Sequence, residues 1–496
     1  MSTPPAASPP LPSEADLNQR AGRALGWSLL NTAVSKVGTL AVGIALARIL
    51  GPGEFGSFAV AMVALLAVLS FNELGVSLAI VRWKGDPRPI VPTVATISIV
   101  SSAALFAACY VAAPTYAAAM GSPESTSVVR VLLASILING VVAAPAAVLQ
   151  REFKQKEKMV ADQANAWLGA GISIALALTG MGAMSLAIGR LVGSTVSAVI
   201  FGIYAPSALK PGLDSSLLRP LLSFGLPLAG ASAVVFAAGY VDQVVTGALL
   251  GPTELGFYVL AFNLASWPVS VFSQPLRAVA PAAFARMQSD LQGMSSNFRR
   301  VLGILASVAF PVCFVLAGTA VPLVSFVYGE QWLPAASALT WLALLAGCRI
   351  VFELTYDYLV VLRKTKGILV IQVTWLVALV PSAVVGASAR GIAGVAAAQV
   401  AVAVIVVLPM YLRQIRDTGL PAYQALSRLS GPLAAGLFVW PVTHIIGDQM
   451  TNEWLAVALS SMAGLVGIAI LLACEPGLIR RLRSQIDRRG NGQVAS

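Results

Sequence analysis

The sequence predicts an all-α integral membrane protein with fourteen transmembrane helices, and three observations predict it. Of 496 residues, 57% are hydrophobic and only 11% charged, where about a quarter is charged in an ordinary soluble domain. Long apolar runs recur along the whole chain, bounded by charge, glycine or proline. Lysine and arginine gather between alternate runs, as they do on the cytoplasmic side of membrane proteins. A helix crosses a hydrocarbon core of about 30 Å with roughly 20 residues, so the chain holds many crossings and not a single anchor. Its net charge of +11 would suggest nucleic acid in a soluble protein. Here the topological placement of the basic residues accounts for most of it, and nucleic acid is excluded as a partner. Cys109, Cys313, Cys348 and Cys474 lie in separate apolar runs with no accompanying histidine pattern, which gives no disulfide framework, no zinc site and no cofactor.

Residues 1–22 read as a disordered cytoplasmic tail, because the first nineteen carry five prolines and no apolar stretch of the kind a secretory signal needs. Spans are expected near 24–50, 54–81, 90–112, 128–149, 160–179, 182–204 and 219–249. The second seven are expected near 254–283, 300–325, 333–359, 366–387, 391–412, 426–446 and 453–473. The basic residues test the count. Inner segments hold Arg20 and Arg23, then Arg82, Lys84 and Arg88, then Arg151, Lys154, Lys156 and Lys158. They continue with Lys210 and Arg219, Arg286, Arg299 and Arg300, Arg363, Lys364 and Lys366, Arg413, Arg416 and Arg428, and the arginines of a basic tail over 476–496. Together these are 25 of the 32 basic residues. Outer loops hold mainly acids, such as Glu54, Glu124, Glu254 and Glu330. One span too many or too few would invert the alternation from that point on, so both termini are expected in the cytoplasm.

Leu50-Gly51-Pro52-Gly53-Glu54-Phe55-Gly56 follows span 1, and Leu250-Gly251-Pro252-Thr253-Glu254-Leu255-Gly256 follows span 7; five of the seven positions match. Phe58 with Tyr258 and Ala61 with Ala261 extend the match. A single copy reads as a tight turn between helices. Two copies at equivalent positions read as a repeat of two six-helix lobes, 23–210 and 211–420, related by an axis along the membrane normal. Helices 13 and 14, over 421–475, are extra.

The run Ala47-Arg48-Ile49-Leu50-Gly51-Pro52-Gly53-Glu54-Phe55-Gly56 and the segment Phe224-Gly225-Leu226-Pro227 resemble Wzx-type polysaccharide flippases. These belong to the multidrug/oligosaccharidyl-lipid/polysaccharide (MOP) exporter superfamily, and the resemblance covers roughly residues 20–475. It implies a bacterial inner-membrane protein, not an enzyme, that moves undecaprenyl-pyrophosphate-linked oligosaccharide across the membrane by alternating access. It also implies that helices 13 and 14 help form a groove for the lipid tail. The partners implied are the polyprenyl-pyrophosphate-linked glycan and membrane lipid, with a coupling cation and glycan polymerase machinery left open. A lipid II flippase would share these features. A drug or cation antiporter would favour an acid in span 1, where this chain has Lys36. A membrane-embedded glycosyltransferase would need catalytic acids in sizeable outer loops, and the longest expected one has about 15 residues.

Four basic residues fall inside spans: Lys36 in span 1, Arg190 in span 6, Arg277 in span 8 and Arg349 in span 10. A charge at mid-helix costs about 2.5–3.5 kcal/mol on insertion scales, so such groups face a cavity or a partner. A pyrophosphate is a dense anion, and guanidinium or ammonium groups are what hold it in a dry site. The four are therefore the candidate substrate-binding cations. Arg190 and Arg277 also lie near enough to span ends for the alternative of snorkelling. The acids Glu73, Asp242, Glu353 and Asp357 have two readings, interhelical ion pairs or ligands of a coupling cation, and Arg349 and Glu353 have the i, i+4 spacing of a pair within one helix. Asn31, Asn72, Asn139, Gln243, Asn263, Gln274 and Gln399 offer hydrogen bonds to sugar hydroxyls or between helices. Trp27, Tyr240, Trp267 and Tyr356 offer sugar stacking or plain packing. Pro227, Pro268, Pro275 and Pro281 predict kinks in spans 7 and 8. The lone His444 supports neither a triad nor a metal cluster.

Overall fold

A computed structural model describes residues 14–71, 75–287, 290–450 and 452–474, with side chains described from Gly38 onward save at a few positions. Both tails, Asn72 and Glu73 lie outside the described residues, as does the side chain of Lys36. The described residues form helices and no strand. Helix α1 (Glu14–Leu69) begins inside the stretch read as a tail; Glu14 and Asp16 in its first turn favour a helix N-terminus. It is two helices joined at Gly51, whose φ of 74° and ψ of 173° break the spiral before Pro52 starts the next one.

Next come α2 (Ser77–Arg82), α3 (Val91–Ala119), α4 (Thr126–Leu133), α5 (Ser135–Arg151), α6 (Gln155–Leu178) and α7 (Ala183–Tyr204). The chain continues through α8 (Ser215–Leu250), α9 (Pro252–Ala285), α10 (Leu291–Gly318), α11 (Ala320–Tyr328) and α12 (Pro334–Val361). Helix α13 (Thr365–Val402) is again two helices, broken at Arg390 and Gly391. A π turn at 403–407 leads into α14 (Leu408–Arg416), followed by α15 (Ala422–Gln449) and α16 (Glu453–Cys474). Among the described residues, eleven segments are long and apolar enough to cross a membrane. The expected fourteen differ from these at three places. Spans 1 and 2 fall in one segment, Gly38–Leu69, and spans 11 and 12 in another, Thr365–Arg416. Span 5 corresponds to α6, whose first two turns carry Lys156, Glu157, Lys158 and Asp162.

Contacts divide the chain into two compact units, residues 1–50 with 60–236, and residues 51–59 with 237–496. In the first, Val76, Ile80, Ile90, Val94, Leu149, Phe201 and Leu221 form one core where the ends of α2, α3, α5, α7 and α8 converge. Arg151, which charge alone assigns to topology, closes this end. Its Nη1 donates to the carbonyls of Ile80 at 2.6 Å and Trp83 at 2.9 Å, and its Nη2 to that of Gly85 at 2.5 Å. Asp214 precedes α8 and accepts from the Ser216 hydroxyl at 2.6 Å and amide at 2.9 Å. Those bonds hold its carboxyl below the ordinary carboxylate range.

In the second unit α12 is the central helix, buried along its length from Ala335 to Leu359. It packs on α9, α10 and α13. Helices α15 and α16 dock on α10 and α11. Arg299 donates to Gln424 at 2.5 Å, and Ser325 to Glu453. Residues 51–59 cross the start of α9 in a reciprocal contact of the two repeat copies. A Cβ on Gly56 would stand 1.9 Å from the carbonyl oxygen of Pro252, and one on Gly256 would stand 2.7 Å from that of Pro52. Trp332 seals the crossing. Its ring lies edge-on to Phe55 at 5.4 Å and to Phe257 at 5.8 Å.

The repeat extends beyond the motif. Left-handed residues occur in matched pairs: Gly51 with Gly251, Gly121 with Gly329, Phe153 with Arg363, and Gly182 with Gly391. The last two pairs agree to the degree, at φ 58° and φ 56°.

Candidate functional site

Arg277, Arg349, Asp242, Glu353 and Asp357 all lie in the second unit, on α9, α12 and α8. Asp242 is buried, 2% exposed. Its Oδ2 accepts from the Tyr258 hydroxyl at 2.7 Å and from Gln399 Nε2 at 2.7 Å, which joins α8 to α9 and α13. Gln399 also donates to the Tyr258 hydroxyl. The other carboxylate oxygen, Oδ1, has no hydrogen-bond partner. A tyrosine hydroxyl and an amide NH2 are donors and address an anion, whereas a hard cation requires oxygen lone pairs. Among the described residues no three His, Cys, Asp or Glu side chains gather into a metal-holding group.

Arg349 does not pair with Glu353. Its guanidinium carbon lies 5.7 Å from the centroid of the Phe262 ring on α9, with the Asp242 carboxylate as the anion within electrostatic reach. The ring and the field of Asp242 draw the head away from its own helix, which the i, i+4 spacing alone does not foresee. Arg277 turns to α12. Its Nε stands 3.7 Å from Asp357 Oδ2, a pair in which the arginine side chain is 49% exposed and the aspartate 7%. Its guanidinium carbon lies 5.9 Å from the Tyr356 ring centroid. This contact is electrostatic only, since Asp357 Oδ2 takes part in no hydrogen bond.

Among the described residues the guanidinium donors of Arg277 and Arg349 therefore make no hydrogen bond to a protein acceptor. Arg349 and Asp357 stand eight residues apart on α12, roughly 12 Å at helical rise, which sets the spacing of the two cationic points. In the first unit Arg190 is exposed on α7 and likewise makes no hydrogen bond among the described residues. It follows Gly189, whose backbone packs on α6 at Gly169 and Ser173. Such forks, flanked by Phe262 and Tyr356, are suited to oxyanions of a large ligand.

Of the other polar candidates, Gln399 and Gln243 are buried and Gln399 bonds between helices. Helix α9 continues through Pro268 and Pro275. Tyr258 enters the sequence reading only as a partner of Phe58 in the repeat. The signal for its role was there: the first copy has a ring without a hydroxyl at that position, the second a donor.

A family model described as "Polysaccharide biosynthesis protein" matches residues 45–337. The chain is 29% identical over 66% of its length to the succinoglycan biosynthesis transport protein ExoT of Rhizobium meliloti (strain 1021). It is 23% identical over 62% of its length to the lipopolysaccharide biosynthesis protein WzxC of Escherichia coli (strain K12). The matched stretches span 66% and 63% of those relatives' own length. In fold it is similar to the lipid II flippase MurJ in an inward closed conformation, with TM-score 0.73, 14% identity, and 90% of this chain and 98% of that one covered. An inward-facing MATE family multidrug resistance transporter gives TM-score 0.64 at 18% identity, covering 78% and 94%.

Proposed function

Because the chain belongs to the polysaccharide biosynthesis protein family, with the Wzx-type character its motifs carry, we propose that it is a flippase for polyprenyl-pyrophosphate-linked oligosaccharide. It works in the bacterial cytoplasmic membrane, delivering repeat units for an exported glycan by alternating access. The observation that carries this reading is the pair of guanidinium groups, Arg277 and Arg349, that lie within membrane-crossing helices with uncommitted donors. An inert membrane arginine neutralises itself with hydrogen-bonded acceptors; these two are held electrostatically by Asp357 and Asp242 and keep their forks available for phosphate oxygens. In the proposed cycle Arg190 and Lys36 supply the cations of the first lobe, Asp242 balances the charge of Arg349, and Glu353 and Asp357 balance charge or meet a coupling cation.

The proposed topology is fourteen crossings with both termini in the cytoplasm. It reads the breaks at Gly51 and Gly391 as reversals and α6 as a crossing. The 52 residues of Thr365–Arg416 would measure about 78 Å as one straight helix, more than twice the hydrocarbon thickness.

The test is the sidedness of lipid-linked oligosaccharide in cells carrying Arg349→Ala or Arg277→Ala, with insertion verified by surface labelling. Accumulation on the cytoplasmic face is expected. Unchanged glycan export in both variants and in a strain lacking the gene would overturn the reading in favour of another MOP cargo.

A further inference from the structure

A second site lies in the second unit, away from Arg277 and Arg349. A cavity of about 530 Å³ opens where five helix ends meet: the close of α8 at Leu250, the first turn of α9 at Glu254, the starts of α11 and α12, and the break at Arg390. Its walls are apolar, from Leu250, Val321, Leu333 and Ile392, and its two charged members are Glu254 and Arg390. The two hydroxyls on its lining are already engaged. Ser337 donates to the carbonyl of Pro334 at 2.8 Å, and Thr340 to that of Ala336 at 3.1 Å.

Glu254 and Arg390 do not pair with each other, nor does either make a hydrogen bond among the described residues. Glu254 is half-buried and Arg390 exposed. Opposite charges held apart across an apolar hollow complement a ligand that carries both signs, because an ion of one sign would leave the other charge uncompensated. Helix ends lie at the level of lipid headgroups. The apolar walls add what a soluble zwitterion would not use. The volume falls in the range of a ligand pocket and accommodates a headgroup with the first methylenes of its chains.

We propose that this cavity binds a zwitterionic phospholipid with a primary ammonium, of the phosphatidylethanolamine type. Arg390 takes the phosphate, and Glu254 accepts from the ammonium. Phosphatidylcholine has the same charges and no ammonium N–H to donate, so the carboxylate discriminates between them. Phosphatidylglycerol satisfies Arg390 and places hydroxyls at Glu254.

The experiment is native mass spectrometry of the full-length, delipidated protein with dioleoyl phosphatidylethanolamine, phosphatidylcholine and phosphatidylglycerol as probes. The wild type is expected to prefer the ethanolamine lipid over the choline lipid by about ten-fold, the scale of one charge-assisted hydrogen bond. Glu254→Gln should bring the ethanolamine lipid down to the choline level. Arg390→Ala should weaken both. Each variant is compared at matched melting temperature in lipid-free detergent, so that misfolding is separated from loss of the site. Glycerophosphoethanolamine, the soluble head alone, should not displace the lipid at equal concentration; displacement would identify a soluble occupant and sink the lipid assignment. The proposal also fails if the two lipids bind equally to the wild type, if phosphatidylglycerol binds best, or if the preference survives both substitutions.

Discussion

Tyr258 shows how much of the site one hydroxyl can hold. Removing it as Tyr258→Phe leaves Asp242, 2% exposed, with Gln399 as its one side-chain donor. A buried acceptor that loses a partner costs about 1–3 kcal/mol. The expected result is a lower melting temperature in detergent with insertion intact, while Phe58→Tyr in the other repeat copy gives no matching gain. Arg277→Ala should also destabilise, because the nearly buried Asp357 loses the cation beside it. Arg277→Ala combined with Asp357→Asn should recover most of that loss in a double-mutant cycle. Arg349→Ala should cost less melting temperature than Arg277→Ala and act on transport, since Asp242 keeps the hydrogen bonds of Tyr258 and Gln399 when the guanidinium is gone. At this scale the sequence reading identifies the charges and misses their partners. The cost of a mid-helix arginine can be read from one run of residues, but Arg277 meets Asp357, and Arg349 meets Phe262, only once α9 and α12 are side by side.

The two Leu-Gly-Pro copies are more than turns, because their glycines meet. With no room for a Cβ between Gly56 and Pro252, Gly56→Ala or Gly256→Ala must push the two backbones apart. A cysteine pair reports that separation. A Cβ on Gly53 would lie 3.8 Å from Thr253 Oγ1, the γ position that a cysteine sulfur at 253 would take up to reach across, so Gly53→Cys with Thr253→Cys should crosslink under mild oxidation. Adding Gly56→Ala should suppress the crosslink, and under the proposed alternating access the crosslinked protein should transport only after reduction. If the crosslink forms equally with and without Gly56→Ala, the close approach is not what sets the crossing. The apolar runs, the proline starts and the repeat are all legible from local sequence. The breaks at Ala134, which divides expected span 4 into α4 and α5, and at Thr319, which divides span 9 into α10 and α11, are not. Ala134 has no glycine or proline beside it, and although Gly318 precedes Thr319, glycines also stand inside unbroken helices here, so each interruption depends on what packs around it. Arg151 illustrates the same limit. Its charge is visible in sequence, whereas its grip on the carbonyls of Ile80, Trp83 and Gly85 requires the ends of α2 and α5 to converge.

For the whole molecule, the number of crossings determines where the two ends of the chain lie. Among the described residues eleven segments satisfy length and apolarity, and an odd number of crossings would leave the N- and C-terminal regions on opposite faces. Fourteen returns them to the same face. Impermeant maleimide labelling separates the two arrangements at four positions. Thr179→Cys and Ser388→Cys flank the reversals before Gly182 and Gly391, the pair with matching left-handed backbone. Lys154→Cys and Lys366→Cys flank Phe153 and Arg363, the other matched pair. With α6 and both halves of α13 as separate crossings, the first two should label in intact spheroplasts and the last two only after permeabilisation. Were α6 a surface helix, Thr179 and Lys154 would share a side, and every inner segment beyond it would be inverted. Lys210, Arg286, Arg299 and Arg300 would then stand outside, against the charge bias that orients membrane proteins. The proposed parallel repeat makes the same demand. Copies that run in the same direction through the membrane, as distinct from an inverted pair, need an even number of crossings between their starting points.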